Sequence, residues 1–349
     1  MQFSSDNWAG AAAEITASLS ANATGFSPAY GQAEIDRRLE LRFNELFERE
    51  VAVFFVGTGT AANALALTAL NRPGGFVLCH RESHLIEDEC GAPEFFTCGA
   101  RLSPIDGPCG KMDPGELKRG LERFDPSFVH HGQPMAVSLT QATEVGSVYT
   151  LQELALLADI THRQGLSLHM DGARFANALV QLDVSPAEMT WRSGVDVLSF
   201  GATKNGCWCA EALVFFHPKQ AEQLPFIRKR AAQLFSKTRF IAAQFHAYLD
   251  DNLWLRLARS ANDQASVLAA GIEASENAVL AWPSQSNEVF AFMNSETVAR
   301  LQASGAQFYS WPIPFSEKSN APAGTTLQRF VTSFATTETM VTQFLNVLG

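Results

Sequence analysis

Residues 194–206, GVDVLSFGATKNG, carry an apolar, β-branched run into small residues and then a lysine, Lys204, one of seven in the chain. An amine set beside apolar strand residues loses hydration, which lowers its pKa and favours the neutral form. A neutral amine can attack a carbonyl and hold it as a Schiff base. The bland alternative is a lysine snorkelling from a sheet edge. Asp171 closes LSLHMDG (166–172); a carboxylate there either caps the helix beginning in ARFANALV or serves a bound ligand. The turn GTGT (57–60) opens an apolar helix, and helix-start N–H groups suit a phosphate, although such turns also make ordinary strand-to-helix corners.

The elements that must position these groups alternate in type. VAVFF (51–55), GFVLC (75–79), EFFTC (94–98), FVHHGQPMAVSLTQ, LSLHMDG, VDVLSF and ALVFF (212–216) each contain a strand pattern. Helical patterns separate several of them, among them DPGELKRGLERF (113–124) and TLQELALLADITHRQG, closed by Gly165. Strands spaced by helices imply βαβ units and a mostly parallel sheet. Past about residue 220 the chain is helical, then short strands near 278–282, 287–293 and 327–333 alternate with helices at 295–304 and 336–347. The expectation is a large unit over residues 1–250 and a smaller C-terminal α+β unit over 251–349. PIPFSEKSNAPAGT (312–325) reads as a loop. In open α/β sheets ligands bind beyond the carboxyl ends of strands, where all three groups fall. An amine to hold an aldehyde, an acid to keep a ring nitrogen protonated and a phosphate cradle are what pyridoxal phosphate requires.

Bulk properties agree. The 349 residues are 46% hydrophobic and 18% charged, with a net charge of −10. That balance argues against a nucleic-acid partner. No run approaches the ~20 apolar residues of a membrane helix, and MQFSSDNWAG lacks the basic and apolar regions of a signal peptide. Six cysteines make no disulfide framework in so long a chain. The CxC pair Cys207 and Cys209 reads as reduced thiols, and His130–His131 lacks a third ligand at metal spacing. A cytoplasmic enzyme with no metal is expected.

HMDGARFANAL, SFGATKNG and FVGTGTAAN resemble the threonine aldolase branch of the β-eliminating lyase family. The resemblance implies the aspartate aminotransferase fold, pyridoxal-phosphate fold type I, with a mostly parallel central sheet flanked by helices. By the same likeness, Gly59 and Thr60 bind phosphate, Asp171 meets the pyridine nitrogen and Lys204 is the Schiff-base lysine. His84, in ESHLIEDECGAP, stacks on the cofactor ring. Ser5 (FSSDN), Arg174 and Arg329 (LQRFVTSFATT) take the substrate carboxylate, and Tyr30 (AYG) reaches a neighbouring subunit's site. A basic residue of LFSKTRF, Lys237 or Arg239, meets the phosphate. An unpaired guanidinium inside the apolar strand around Arg329 would be costly, which independently calls for a carboxylate partner.

The resemblance implies cleavage of β-hydroxy-α-amino acids, with L-threonine and L-allo-threonine as default substrates, to glycine and an aldehyde. It also implies a homo-oligomer, dimer or tetramer, with its site at a subunit interface. One departure stands out: TQATE (140–144) replaces the family's ENTH. The base for the β-hydroxyl is therefore open between His84, His84 through water, and Glu144, and L-phenylserine competes as substrate. β-Elimination or transamination on the same fold, and a non-catalytic binding protein, are the rival readings. A nicotinamide oxidoreductase ranks last, because no GxGxxG follows an early strand.

Overall fold

The computed structural model describes residues 1–125 and 127–349. Seven strands form the larger sheet: β1 (Ala52–Val56), β2 (Gly75–His80), β3 (Arg101–Ile105), β4 (Gln133–Thr140), β5 (Ser167–Gly172), β6 (Val197–Gly201) and β7 (Glu211–Phe215). Their order is β1-β7-β6-β5-β4-β2-β3, with β7 antiparallel to both neighbours and the rest parallel. Every residue of β2, β6 and β7 is buried. That is why these strands read as continuous apolar runs rather than alternating ones. This is the mostly parallel sheet of pyridoxal-phosphate fold type I, flanked by helices.

EFFTC is not a strand. Gly91, in the left-handed region, and Pro93 start a helix at Ala92–Phe96, as Pro in a first turn favours. The strand follows at RLSPI, an edge strand with a single fully buried residue, and so without an apolar signature.

A second sheet, β10-β11-β9-β8, is antiparallel throughout: β8 (Val279–Leu280), β9 (Glu288–Asn294), β10 (Tyr309–Ser310) and β11 (Thr325–Val331). The helix Leu253–Glu273 joins the two units. Its Leu253, Trp254 and Ala258 pack in the first core, and its Ala265, Leu268 and Ile272 pack in the second. Phe3, counted with the large unit on sequence, lies in the second core instead, where Gln2 bridges Gln307.

Lys204 stands in the short turn Thr203–Asn205, and the strand that leads to it, β6, is braced from behind. Phe200 meets Phe43, Phe175 and Trp254 at ring-centroid distances of 5.6, 5.3 and 5.7 Å. Beyond β6, Asn205 donates to the Tyr248 hydroxyl and the Trp254 carbonyl, both at 2.8 Å. Gly201 lets β6 end against the next turn: a Cβ there would stand 2.7 Å from the Ala173 carbonyl oxygen and 2.9 Å from that of Gly172. Those neighbours are backbone and cannot rotate away. Gly201→Ala is therefore expected to cost ~1–3 kcal/mol in urea unfolding; an unchanged midpoint would show that the turn yields freely.

Candidate active site

Registry brings the polar strand ends together. Thr140 pairs with Asp171, and Asp171 with Ser199, so the ends of β4, β5 and β6 stand side by side. With the turn after β1 they enclose a cavity of about 290 Å³ lined by Gly59, Thr60, His84, Asp171, Arg174 and Lys204, among others. Thr58 caps the helix Gly59–Ala69 by accepting from the Ala61 N–H at 3.1 Å. The first-turn N–H groups of Gly59 and Thr60 have no intrahelical acceptor and are free for an anion. No atom lies within 4 Å of where a Gly59 Cβ would be, so this corner is open. Lys204 sits on the cavity wall with no hydrogen bond or ion pair on its Nζ among the described residues. Burial, then the Arg174 charge, lowers its pKa.

Asp171 is held on both oxygens, by the Ala173 N–H at 2.9 Å and by Asn63 Nδ2 at 2.7 Å. Asn63 gives its other N–H to Glu89 Oε1 at 2.8 Å, and the same oxygen lies 2.9 Å from His84 Nδ1. That bond to Glu89 raises the His84 pKa against the effect of burial. Glu144 Oε1 accepts from the His84 backbone N–H and from Thr140 Oγ1, both at 2.8 Å, whereas its Oε2 is buried with no partner among the described residues. Burial pushes Glu144 up to about 7, and does the same to Glu211 on the opposite wall. Asn63, Glu89 and Glu211 were not singled out on sequence. Asn63 stands four residues past Gly59, one turn along the same helix face, and that spacing was its available signal.

A second buried chain of charges runs behind the cavity. Arg174 Nε reaches Asp6 at 2.8 Å and its Nη1 lies 3.4 Å from Glu288. Arg329 donates twice to Glu288 Oε1, at 3.0 and 2.5 Å, with its guanidinium 4.5 Å from the Trp311 ring centroid. The carboxylate partner expected for Arg329 is thus Glu288 of the same chain. Burial would raise the Asp6 pKa, but the charges of Arg174 and Lys204, the Arg174 bond and the Arg329 charge lower it to about 2. A depressed folded-state pKa gives stability that is present above the unfolded value near 3.8 and lost as pH falls through about 2. Between pH 4 and 2 the protein should therefore lose about 2 kcal/mol more in denaturant titrations than Asp6→Asn does. Identical acid limbs would show that Asp6 is not held this way.

The remaining expected residues lie elsewhere. Ser5 caps the short turn Asp6–Trp8 by accepting from the Asn7 N–H; Asn7, not Ser5, lines the cavity. Tyr30 is 50% exposed and off the cavity, beneath the Lys229 ammonium at 5.3 Å. Lys237 is exposed, and Arg239 donates to the Thr24 and Gly25 carbonyls. Neither lines the cavity. His130 and His131 pack against Phe128, and among the described residues no three His, Cys, Asp or Glu side chains group as metal ligands. All six cysteines are free. No helix among the described residues is long and apolar enough to cross a membrane.

Anion-binding N–H groups, a fixed carboxylate and an unpaired amine around one cavity form the donor set of a phosphorylated pyridine aldehyde. Residues 2–296 match the family model described as beta-eliminating lyase. The chain is 41% identical over 311 residues to the low specificity L-threonine aldolase of Pseudomonas sp. (strain NCIMB 10558), covering 89% of each chain. It is 42% identical over 311 residues to that of Pseudomonas aeruginosa, again 89% of each. The structure of Leishmania major threonine aldolase superposes with a TM-score of 0.91 and 29% identity, over 99% of this chain and 98% of that one. Matched over most of its length in sequence and nearly all of it in structure, the chain belongs to the β-eliminating lyase family.

Proposed function

We propose that this chain is a pyridoxal-phosphate-dependent carbon–carbon lyase that cleaves L-threonine and L-allo-threonine to glycine and acetaldehyde. The observation that carries the reading is the unpaired Lys204 amine in the cavity it shares with Asp171 and the open helix start at Gly59–Thr60. Bound pyridoxal phosphate supplies the sink for the electron pair left on Cα when Cα–Cβ breaks. Gly59 and Thr60 would hold its phosphate, and Asp171, oriented by Asn63, would keep a proton on its ring nitrogen. Lys204 would tether it and would move a proton to Cα of the product. His84, fixed by Glu89, would lie against the ring. Arg174 on the cavity wall, and Arg329 from behind it by exchanging Glu288 for the substrate, would turn the substrate by its carboxylate, and that orientation would select which bond breaks.

No Phe, Tyr or Trp of this chain lines the cavity among the described residues, which favours a short aliphatic β-substituent over phenylserine. A homodimer or tetramer is part of the proposal. Exposed Phe235 lies against Gly57 on the cavity wall, and exposed Trp208 adjoins Cys209, whose thiol donates to the Gly57 carbonyl. Such an apolar rim is suited to burial against a second copy, where Tyr30 would meet a neighbouring cavity. Free thiols support a reducing compartment, the cytoplasm. The test is the loaded enzyme with L-threonine: equimolar glycine and acetaldehyde support the reading, whereas a keto acid with ammonia would replace it by β-elimination.

A further inference from the structure

Retro-aldol cleavage requires a base at the β-hydroxyl, and two groups on the cavity wall compete for the task. His84 has committed Nδ1 to Glu89. In the role proposed above it would lie against the cofactor ring. Glu144 is built differently. Its Oε1 is pinned by the His84 N–H and the Thr140 hydroxyl, so the carboxylate cannot rotate freely. Its Oε2 is buried and, among the described residues, unpartnered, and Glu144 is one of the residues that line the cavity. A buried acceptor without a donor is costly in a folded protein, and a substrate hydroxyl would satisfy it.

The loop carrying Glu144 is rigid. Gln141 bonds both the Tyr149 carbonyl and the Tyr149 N–H at 2.9 Å, while Thr143 and Ser147 pair side chain to side chain at 2.8 Å. Glu144 is therefore presented from a braced support, as a group acting within one narrow geometry must be.

We propose that Glu144 Oε2 is the general base that takes the β-hydroxyl proton; the inference rests on the aldolase reading given above. The O–H pair becomes the second bond of the aldehyde carbonyl, and the Cα–Cβ pair stays with Cα, where the cofactor would serve as its sink. Cα then takes a proton from Lys204 to give glycine. The proton on Glu144 leaves to solvent once the aldehyde has gone and Lys204 takes one back from solvent, so protons and electrons balance without a further reactant. The titratable and charged groups facing Glu144 are His84, Asp171, Arg174, Cys79 and Tyr149. Burial dominates them and brings the carboxyl to about 7, a strength suited to proton transfer near neutral pH.

Two reactions of the loaded enzyme test this: aldehyde release from L-threonine, and exchange of the glycine Cα proton with deuterated water. The second needs Lys204 but has no β-hydroxyl. Glu144→Gln should lower kcat for cleavage by about 10²–10⁴-fold while glycine exchange stays within about threefold. The wild-type kcat/KM for threonine should climb as pH rises through about 7, and that limb should vanish in the variant. Cleavage at the wild-type rate, or a limb that persists, overturns the proposal in favour of His84. Equal loss of cleavage and exchange also overturns it, since Glu144 would then only support the fold of the site. A wild type that exchanges glycine but releases no aldehyde refutes the aldolase reading itself, and the inference with it.

Discussion

Lys204→Ala is expected to lose cleavage of L-threonine by on the order of 10⁴-fold or more, because among the described residues no other amine lines the cavity. The loss should be chemical rather than structural. Phe200 and Asn205 brace the segment on either side of Lys204, and removing a buried amine relieves a desolvation cost rather than creating one. The thermal midpoint should therefore hold or rise. Borohydride treatment of the loaded wild type should leave the cofactor fixed on the peptide containing Lys204, and the variant should carry none. A variant that still cleaves threonine at a tenth of the wild-type rate would end the proposed mechanism. Label found on another lysine would relocate the site.

The second large effect falls on Arg329→Leu, in two separable parts. Removing the arginine strands Glu288 in the interior, and breaking a buried pair from one side costs ~3–5 kcal/mol. Losing the substrate-carboxylate contact proposed above should also raise KM for threonine by roughly 10- to 100-fold with a smaller change in kcat. The double variant Arg329→Leu/Glu288→Leu divides them. It removes both charges, and Arg174 keeps Asp6, so stability should largely return while KM stays high. A double variant with normal KM would mean that Arg329 serves only Glu288. Persisting instability would mean that Arg174 also depends on Glu288, through their 3.4 Å contact.

Local chemistry was the legible part of this site. Lys204, Asp171 and the Gly59–Thr60 turn each end a strand or open a helix, and periodicity places such positions without knowledge of the rest of the fold. The strands of the large sheet were equally plain where both faces are buried. EFFTC failed because its apolar residues belong to a five-residue helix, too short to display a period, whereas the true edge strand RLSPI is half polar. The partners of the arginines were out of reach for another reason. Asp6 and Glu288 are distant from Arg174 in the chain, and no local pattern marks which acid will close a buried pair. Arg329 shows the limit well: its need for a carboxylate could be argued from the strand around it, but not that the chain itself supplies one. Tyr30 and Lys237 were named only through a resemblance, and on a single chain they lie off the cavity.

Asp6 and Phe3 also bear on how the protein is made. Asp6 accepts from Asn287, 281 positions later, and Phe3 is closed into the core of a sheet ending at Val331. At ribosomal speeds of ~5–20 residues per second, these early residues wait roughly 15–60 s for their partners. The β4–β6 strand ends can form on the nascent chain, so the half of the site that grips the cofactor is ready early. The arginine–carboxylate half closes only once β9 and β11 have been made. A chain stalled or cut before β9 would thus emerge with a lysine able to capture aldehydes and no means of selecting the amino acid that should follow.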